Sequence, residues 1–460
     1  MFLRDSPAGS TLHLTKCLLA CRRLERAAFG VVLAAVSTLA CRPAAPPAEA
    51  SRPNIVLVVI DTLRADHLPS YGYARETAPR IAQLAAEGVL FERVIAASSW
   101  TKTSMASLMT GLGPHRHGVR RVPDALPETL PTLAEALRKG GYRTLGINAN
   151  PWLVDSYGFD RGFDVYESLI WSDARALNAR ALELSSEGPR PLFLYVHYMD
   201  VHAPYAPDAG FFAEPPLLLP GGERIADADL ERLYRTEGLD APGVAQRVRR
   251  LYDAEIRATD AAMGELLDEL EHRGLLANSV VAVTSDHGEG FREHGTTVHG
   301  WNFYPEVYAV PLVIRAPGRL PAGERISAQV RSIDLAPSLL ELVELEVPSG
   351  FEGESLLVGV ATALSDRVAI GAIGLHDYLP NRDYVAVVSP DRLYIRERRS
   401  GEAEFYDLRS DPGAQHNLGA DHPDAAGLAE LVPVDQAPTP KQVQIDPETH
   451  DRLVKLGYLP

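Results

Sequence analysis

The chain has 460 residues, 46% of them hydrophobic and 23% charged, proportions that exclude a disordered, collagen-like or coiled-coil protein. Its 45 Lys and Arg against 61 Asp and Glu leave a formal net charge of −16, which excludes a nucleic-acid binder that works by neutralising many phosphates, so any anionic substrate must be held by local charge or metal. The three cysteines, Cys17, Cys21 and Cys41, all precede the globular part, which therefore has no thiol for a disulfide, a zinc cluster or a nucleophile.

In chain order, Arg22, Arg23 and Arg26 precede an uncharged run from Ala27 to Ala40 (AAFGVVLAAVSTLA). The run is too short to span a bilayer and has the length of a signal-peptide core. It ends in Thr38-Leu39-Ala40-Cys41 and then RPAAPPAEAS. This resembles a bacterial lipoprotein signal, with Thr38 a less usual residue in its box, cleavage before Cys41, lipid on the Cys41 sulfur and a Pro/Ala tether. The expectation is export to the periplasm or outer membrane with membrane attachment through that lipid.

Asn54 to Ile60 (NIVLVVI) is a continuous apolar, β-branched run ending in Asp61, the pattern of a strand buried on both faces. Similar runs occur at Pro191–Val196 and Ser279–Val283, with a weaker one at Arg143–Ile147. Between them lie helical patterns: PRIAQLAAEG closed by Gly88, TLPTLAEALRKGG with Thr129 as its predicted N-cap, and a long stretch from Asp227 to Arg273. Strands alternating with helices predict an α/β fold with a central, mostly parallel sheet flanked by helices, its reactive groups at the carboxyl ends of the strands. From about Ser365, the runs VAIGAIG, DYVAVVS and RLYIRE predict a small antiparallel sheet. The expected organisation is a signal peptide over 1–41, a tether over 42–51, a catalytic domain over 52–360 and a C-terminal subdomain over 361–460.

Oxygen and nitrogen ligands stand in three separate segments: Asp61 in VVIDTLRADH, Thr101 in SSWTKTSMASLMTG, and Asp286-His287 in VTSDHGEG. Singly, each reads as a helix cap or a turn former. Together, two carboxylates, an imidazole and a hydroxyl suit one divalent ion, Mg²⁺, Ca²⁺, Mn²⁺ or Zn²⁺.

These segments resemble the sulfatase-like branch of the alkaline phosphatase superfamily from Pro53 to about Leu418. RPNIVLVVIDTLRADHL resembles the family's opening strand with its metal-binding Asp, TKTSMASLMTGLGPHRHGV its nucleophile segment, VTSDHGEGFREHG its second metal motif, and PLFLYVHYMDVHAPY its His-x-Pro element. SIDLAPSLLEL, FEGESL and EFYDLRSDPGAQHNL resemble its downstream landmarks. The resemblance implies an alkaline-phosphatase-like sandwich and metal ligation by Asp61, Thr101, Asp286 and His287.

The departures bear on mechanism. The family's sulfatases make formylglycine from the Cys or Ser of a [Cys/Ser]-x-Pro-x-Arg motif ten residues before a Gly. Counted back from Gly111, that position is Thr101, with Thr103 for the Pro and Met105 for the Arg. Oxidation of a secondary alcohol gives a ketone, not an aldehyde. A rival register starting at Ser104 lacks the Arg, and the family's Gly-Lys-Trp-His element is absent after Gly146. Threonine at this place is the pattern of phosphoethanolamine transferases and lipoteichoic acid synthases, in which the hydroxyl attacks phosphorus.

Lys102 either clamps a non-bridging oxygen or reaches solvent. His202 and His299 are the candidates for leaving-group acid or oxygen donor, since imidazole titrates near neutrality. His197 and Asp200 either support the ligands from behind or join His202 and His299 in a second metal site.

The reading is a metal-dependent hydrolase of phosphoric esters, diesters first, with Thr101 as nucleophile. Two alternatives stand beside it: a sulfuric-ester hydrolase acting on a glycan or aryl ester, and an inactive metal- or glycan-binding envelope protein. The expected partner is a small-molecule, glycan or lipid-linked anionic ester, with no nucleic acid and no obligate protein.

Overall fold

The computed structural model describes residues 52–186, 191–212, 214, 226–236, 238, 243–357, 364–374 and 383–444. The predicted signal peptide, Cys41 and the tether up to Ser51 lie outside the described residues.

Eight strands form one mixed sheet: β1 (Asn54–Ile60), β2 (Val89–Ile95), β3 (Arg143–Asn148), β4 (Val165–Ser168), β5 (Leu192–Tyr198), β6 (Ser279–Thr284), β7 (Ala309–Arg315) and β8 (Glu324–Arg331). Their order is β4-β3-β5-β1-β6-β7-β2-β8. β1 pairs in parallel with β5 and with β6, whereas β7 runs antiparallel to both its neighbours. The mostly parallel sheet flanked by helices is the predicted fold class.

β1 is buried along its whole length because both faces of the sheet are covered. Ile55, Leu57 and Val59 enter one apolar cluster with Met105, Leu108 and Leu339, while Val56, Val58 and Ile60 enter another with Leu251, Met263 and Leu266. Burying each such side chain contributes about 1.5–3 kcal/mol relative to leaving it exposed. A continuous apolar run is therefore stable only as a central strand, and β1 stands fourth of eight.

Two local expectations are corrected. The Leu133–Lys139 helix is capped by Thr132, not Thr129: Thr132 Oγ1 accepts from the Glu135 amide at 3.1 Å, and Glu135 Oε2 accepts from the Thr132 amide at 2.9 Å. Pro131 disfavours helical backbone at Leu130, so the helix begins beyond it. The Asp227–Arg273 stretch is two helices, Asp227–Thr236 and Val244–His272, with Gly243 at φ 84° preceding the second. That backbone region is open to glycine at little cost.

The second sheet holds β9 (Ala369–Ile373), β10 (Tyr384–Ser389), β11 (Arg392–Glu397) and β12 (Ala403–Asp407), antiparallel in the order β12-β11-β10-β9. Among the described residues, no helix is long and apolar enough to cross a membrane.

Candidate active site

The central neighbours β5, β1 and β6 end side by side, and their carboxyl ends deliver the predicted groups. His197 lies within β5, Asp61 follows β1, and Asp286-His287 follow β6. The Asp61 amide donates to the Tyr198 carbonyl at 2.9 Å, extending the β1–β5 ladder to Asp61 itself. Thr62, at φ 58°, then turns the chain so that its amide donates to Asp286 Oδ1 at 3.3 Å. Gly288 lets the second segment pass close to its neighbour, since a Cβ there would lie 2.1 Å from the Glu306 carbonyl oxygen.

The Thr101–Thr110 helix brings in the hydroxyl from its first residue, and Gly111 ends it at φ 63°. Thr101 Oγ1 lies 3.1 Å from His287 Nε2. Ser104 Oγ donates to the Asp286 carbonyl at 2.6 Å, which ties the helix to the second motif and commits the hydroxyl of the rival register.

Asp61, Asp286 and His287 are fully buried. One oxygen of each carboxylate is saturated: Asp61 Oδ2 accepts from Asn150 Nδ2 at 2.7 Å and contacts His197 Nε2 at 3.2 Å, and Asp286 Oδ1 accepts from the His287 amide at 3.0 Å. Among the described residues, the other oxygens, Asp61 Oδ1 and Asp286 Oδ2, accept no hydrogen bond. His287 Nε2 lies 3.8 Å from the first and 3.3 Å from the second. Its Nδ1 donates to the Gly288 carbonyl at 2.9 Å, leaving a lone pair on Nε2.

Two orphaned, fully buried carboxylate oxygens are costly unless a cation meets them. Four ligands about 2.1 Å from a tetrahedrally coordinated ion are spaced by roughly 3.4 Å, and the 3.1, 3.3 and 3.8 Å separations around His287 Nε2 bracket that value. The donor set thus fits one divalent ion.

Asp61, His197 and Asp286 also bring one ligand atom each within 4.8 Å of one another. Tyr195 OH lies 3.0 Å from His197 Nδ1, however, and a phenol donating there leaves the Nε2 proton facing Asp61 Oδ2. His197 thus orients Asp61 from behind, as does Asn150. Burial works to raise the Asp61 carboxyl, but the His197 hydrogen bond and the surrounding imidazoles hold it well below its ordinary range. Asp286 is raised by burial and by the Asp61 charge.

A histidine layer covers this floor. The His299 ring sits 4.4 Å from that of His287 and 4.8 Å from that of His202. Glu289 Oε1 contacts His299 Nδ1 at 3.1 Å, and Tyr205 OH donates to Glu289 Oε2 at 3.3 Å. Burial opposes ionisation of Glu289, yet His299 and Arg235 bring its pKa down to about 2, so it is a carboxylate. Burial lowers His299 as well, but the Glu289 charge wins and raises it. His202 is pushed down to about 4 by burial and by His299.

Lys102 does not reach solvent. It is fully buried, its Nζ donates to the Val122 carbonyl at 2.6 Å, and it lies 3.2 Å from the Tyr157 ring centroid. Asp200 accepts from the Ala174 amide at 2.9 Å through Oδ1. The sequence reading did not assign roles to Asn150, Tyr195 or Glu289. Glu289 stood inside the quoted DHGEG motif; Asn150 and Tyr195 had no signal beyond their places near strand ends.

The sulfatase family model matches residues 53–345, and the model of the N-sulphoglucosamine sulphohydrolase C-terminal region matches residues 293–432. The chain is 24% identical to an N-acetylglucosamine-6-O-sulfatase of Bacteroides thetaiotaomicron, over 92% of this chain and 93% of that protein. It is 27% identical to an ulvan-active sulfatase of Formosa agariphila, over 80% and 78%. A protein solved with its substrate D-glucosamine-2-N,6-O-disulfate shares the fold with a TM-score of 0.69 at 20% identity, covering 83% of this chain and 97% of that one. A phosphonate monoester hydrolase of Agrobacterium radiobacter does so with a TM-score of 0.67 at 19% identity, covering 88% and 96%. The phosphoric-diester preference read from the sequence has no counterpart among these proteins.

Proposed function

The chain belongs to the sulfatase family of hydrolases, and on that premise we propose that it hydrolyses sulfuric esters of a sugar or a small aryl alcohol, with Thr101 as the attacking oxygen. The observation that carries the reading is the convergence of Thr101 Oγ1 on His287 Nε2 beside two carboxylate oxygens that have no partner. The substrates named for the relatives support the sulfuric ester and the sugar.

Asp61 Oδ1, Asp286 Oδ2, His287 Nε2 and Thr101 Oγ1 would hold one divalent cation. Such an ion, when bound, neutralises charge on the reacting ester and makes the threonine hydroxyl more acidic. Ser104 fixes the turn that aims Thr101, through its bond to the Asp286 carbonyl. Thr101 Oγ, its proton lost to solvent, forms a bond to sulfur as the bond to the ester oxygen breaks. The departing oxygen takes a proton from Nε2 of His299, whose Nδ1 is held by Glu289. Water attacking the same sulfur then gives a proton back to His299, releases sulfate and restores the Thr101 oxygen.

Thr101 itself favours a second reading. A threonine sulfate cannot collapse as the hemiacetal sulfate of formylglycine does, whereas a hydroxyl nucleophile suits a phosphorus centre. The second reading is a phosphoric or phosphonic ester. Both readings place the enzyme outside the cytoplasm, anchored by lipid on Cys41, a proposal that rests on the Arg22–Cys41 pattern.

The test is turnover of 4-nitrophenyl sulfate, 4-nitrophenyl phenylphosphonate and bis-4-nitrophenyl phosphate with Mg²⁺, Ca²⁺, Mn²⁺ or Zn²⁺. Highest kcat/KM on the sulfate, lost in Thr101→Ala, is the expected result. Highest kcat/KM on either phosphorus ester replaces the first reading with the second, and activity that survives Thr101→Ala ends both.

A further inference from the structure

The floor of the site is acidic, and Lys102, the cation nearest the nucleophile in sequence, spends its hydrogen bond on the Val122 carbonyl in the interior. An anionic group beyond the scissile ester therefore needs positive charge from elsewhere.

The Asp227–Thr236 helix supplies one. Two contacts dock it on the segment leading to His299: Tyr234 OH donates to the Phe291 carbonyl at 2.9 Å, and Thr297 Oγ1 donates to the Arg235 carbonyl at 3.3 Å. Arg235 Nη1 donates to Glu231 Oε1 at 3.1 Å, one helical turn back, and the Glu231 side chain is 3% exposed while that of Arg235 is 20% exposed. The pair is thus anchored at a buried carboxylate, and the Arg235 side chain keeps part of its surface exposed. Among the described residues, Glu231 is the only hydrogen-bond acceptor recorded for this guanidinium, which has five N–H donors. Its charge is felt by His202, Glu289 and His299 together.

We propose that Arg235 is a specificity-determining residue that binds a second anionic group, a carboxylate or sulfate, carried by the substrate beside the scissile ester. This rests on the ester-hydrolase reading above. The planar fork of a guanidinium matches such a group with two parallel hydrogen bonds, which a lone ammonium cannot do. The helix arises from the excursion between His202 and the Val244–His272 helix, so the choice of substrate would be made by a segment separate from the chemical floor.

The experiment titrates glucosamine 6-sulfate and glucosamine 2,6-disulfate calorimetrically into the Ca²⁺-loaded Thr101→Ala full chain, with and without Arg235→Gln. The disulfate should bind about tenfold or more tighter than the monosulfate, the worth of a charge-assisted pair. Arg235→Gln should erase that ratio and leave the monosulfate affinity within about twofold. Equal losses for both sugars, or a parent that binds the two alike, would overturn the proposal. Should Arg235→Gln not fold, the parent is titrated at 20 and 300 mM NaCl, where a ratio that does not fall with salt overturns it. The ester-hydrolase reading fails separately, through absence of turnover by the wild-type chain.

Discussion

Thr101 Oγ1 and His287 Nε2 lie 3.1 Å apart although 186 residues separate them along the chain. His287 Nδ1 is occupied by the Gly288 carbonyl, so its Nε2 has only a lone pair to offer, either to the Thr101 proton or to a cation. The two residues thus share one locus, and that locus adjoins both orphaned carboxylate oxygens.

Substituting the hydroxyl separates attack from ligand binding. Thr101→Ala should lower kcat/KM by about 10³-fold or more, the scale for loss of a nucleophile, while Thr101→Ser retains measurable turnover. Steady-state kinetics of the two variants with equal metal content check this. An alanine variant within tenfold of wild type would remove Thr101 from the chemistry.

Removing one carboxylate should have opposite effects with and without metal. In the metal-free protein, Asp61 and Asp286 repel each other across a buried gap, so Asp286→Asn should raise the metal-free Tm. The same change should abolish the gain that metal confers, about 2.7 kcal/mol at a hundred times Kd. Thermal melts with EDTA and with Ca²⁺ or Zn²⁺ test both halves, and a variant that keeps its metal-induced shift refutes the assigned ligands.

Lys102→Met should cost stability more than catalysis. The methionine leaves the Val122 carbonyl without its 2.6 Å donor, a loss of about 1–3 kcal/mol for a buried acceptor. Denaturant titration should show that loss, with kcat/KM falling by less than about tenfold. A much larger kinetic loss at unchanged stability would restore the oxygen-clamp role.

His299→Gln should discriminate between leaving groups. An alkyl ester needs a proton at its departing oxygen, whereas a 4-nitrophenolate does not. The variant should therefore lose about 10²-fold or more on the alkyl ester and little on the aryl ester, within the usual range of general acid catalysis. Equal losses on both would assign His299 to binding.

Stability should fall as pH rises from mild acid to about 8, through Glu255. Its Oε1 accepts from the Ala206 amide at 2.7 Å in the segment after His202, and burial raises its carboxyl from 4.5 to about 8. For an acid raised on folding, the stabilisation is fully present below the unfolded value and is lost as pH rises through the folded one. Wild-type stability should thus drop between about pH 4.5 and 8 and level off above, by an amount that Glu255→Gln largely removes. Parallel slopes in the two proteins would exclude Glu255 as the source.

The legible parts of the fold were those where one local pattern had one stable outcome. NIVLVVI is buried on both faces only in mid-sheet, and β1 is there. β2 carries Glu92-Arg93 at its centre and β8 is a half-exposed edge strand, so neither shows an unbroken apolar run. The division of the Asp227–Arg273 stretch at Gly243 was hidden because helical periodicity continues on both sides of the break.

By itself, the sequence determined which side chains reach the ends of the central strands, since an apolar run followed by Asp or His can end in only one place in a doubly wound sheet. It also determined that position 101 bears a hydroxyl and that the globular part has no thiol. Only the tertiary structure decided which way those side chains face. Lys102 turns inward because Val122 and Tyr157 offer its Nζ a carbonyl and a ring face, and His197 turns behind Asp61 because Tyr195 occupies its other nitrogen. Both outcomes depend on partners remote in sequence, whose positions follow from the packing of the whole sheet.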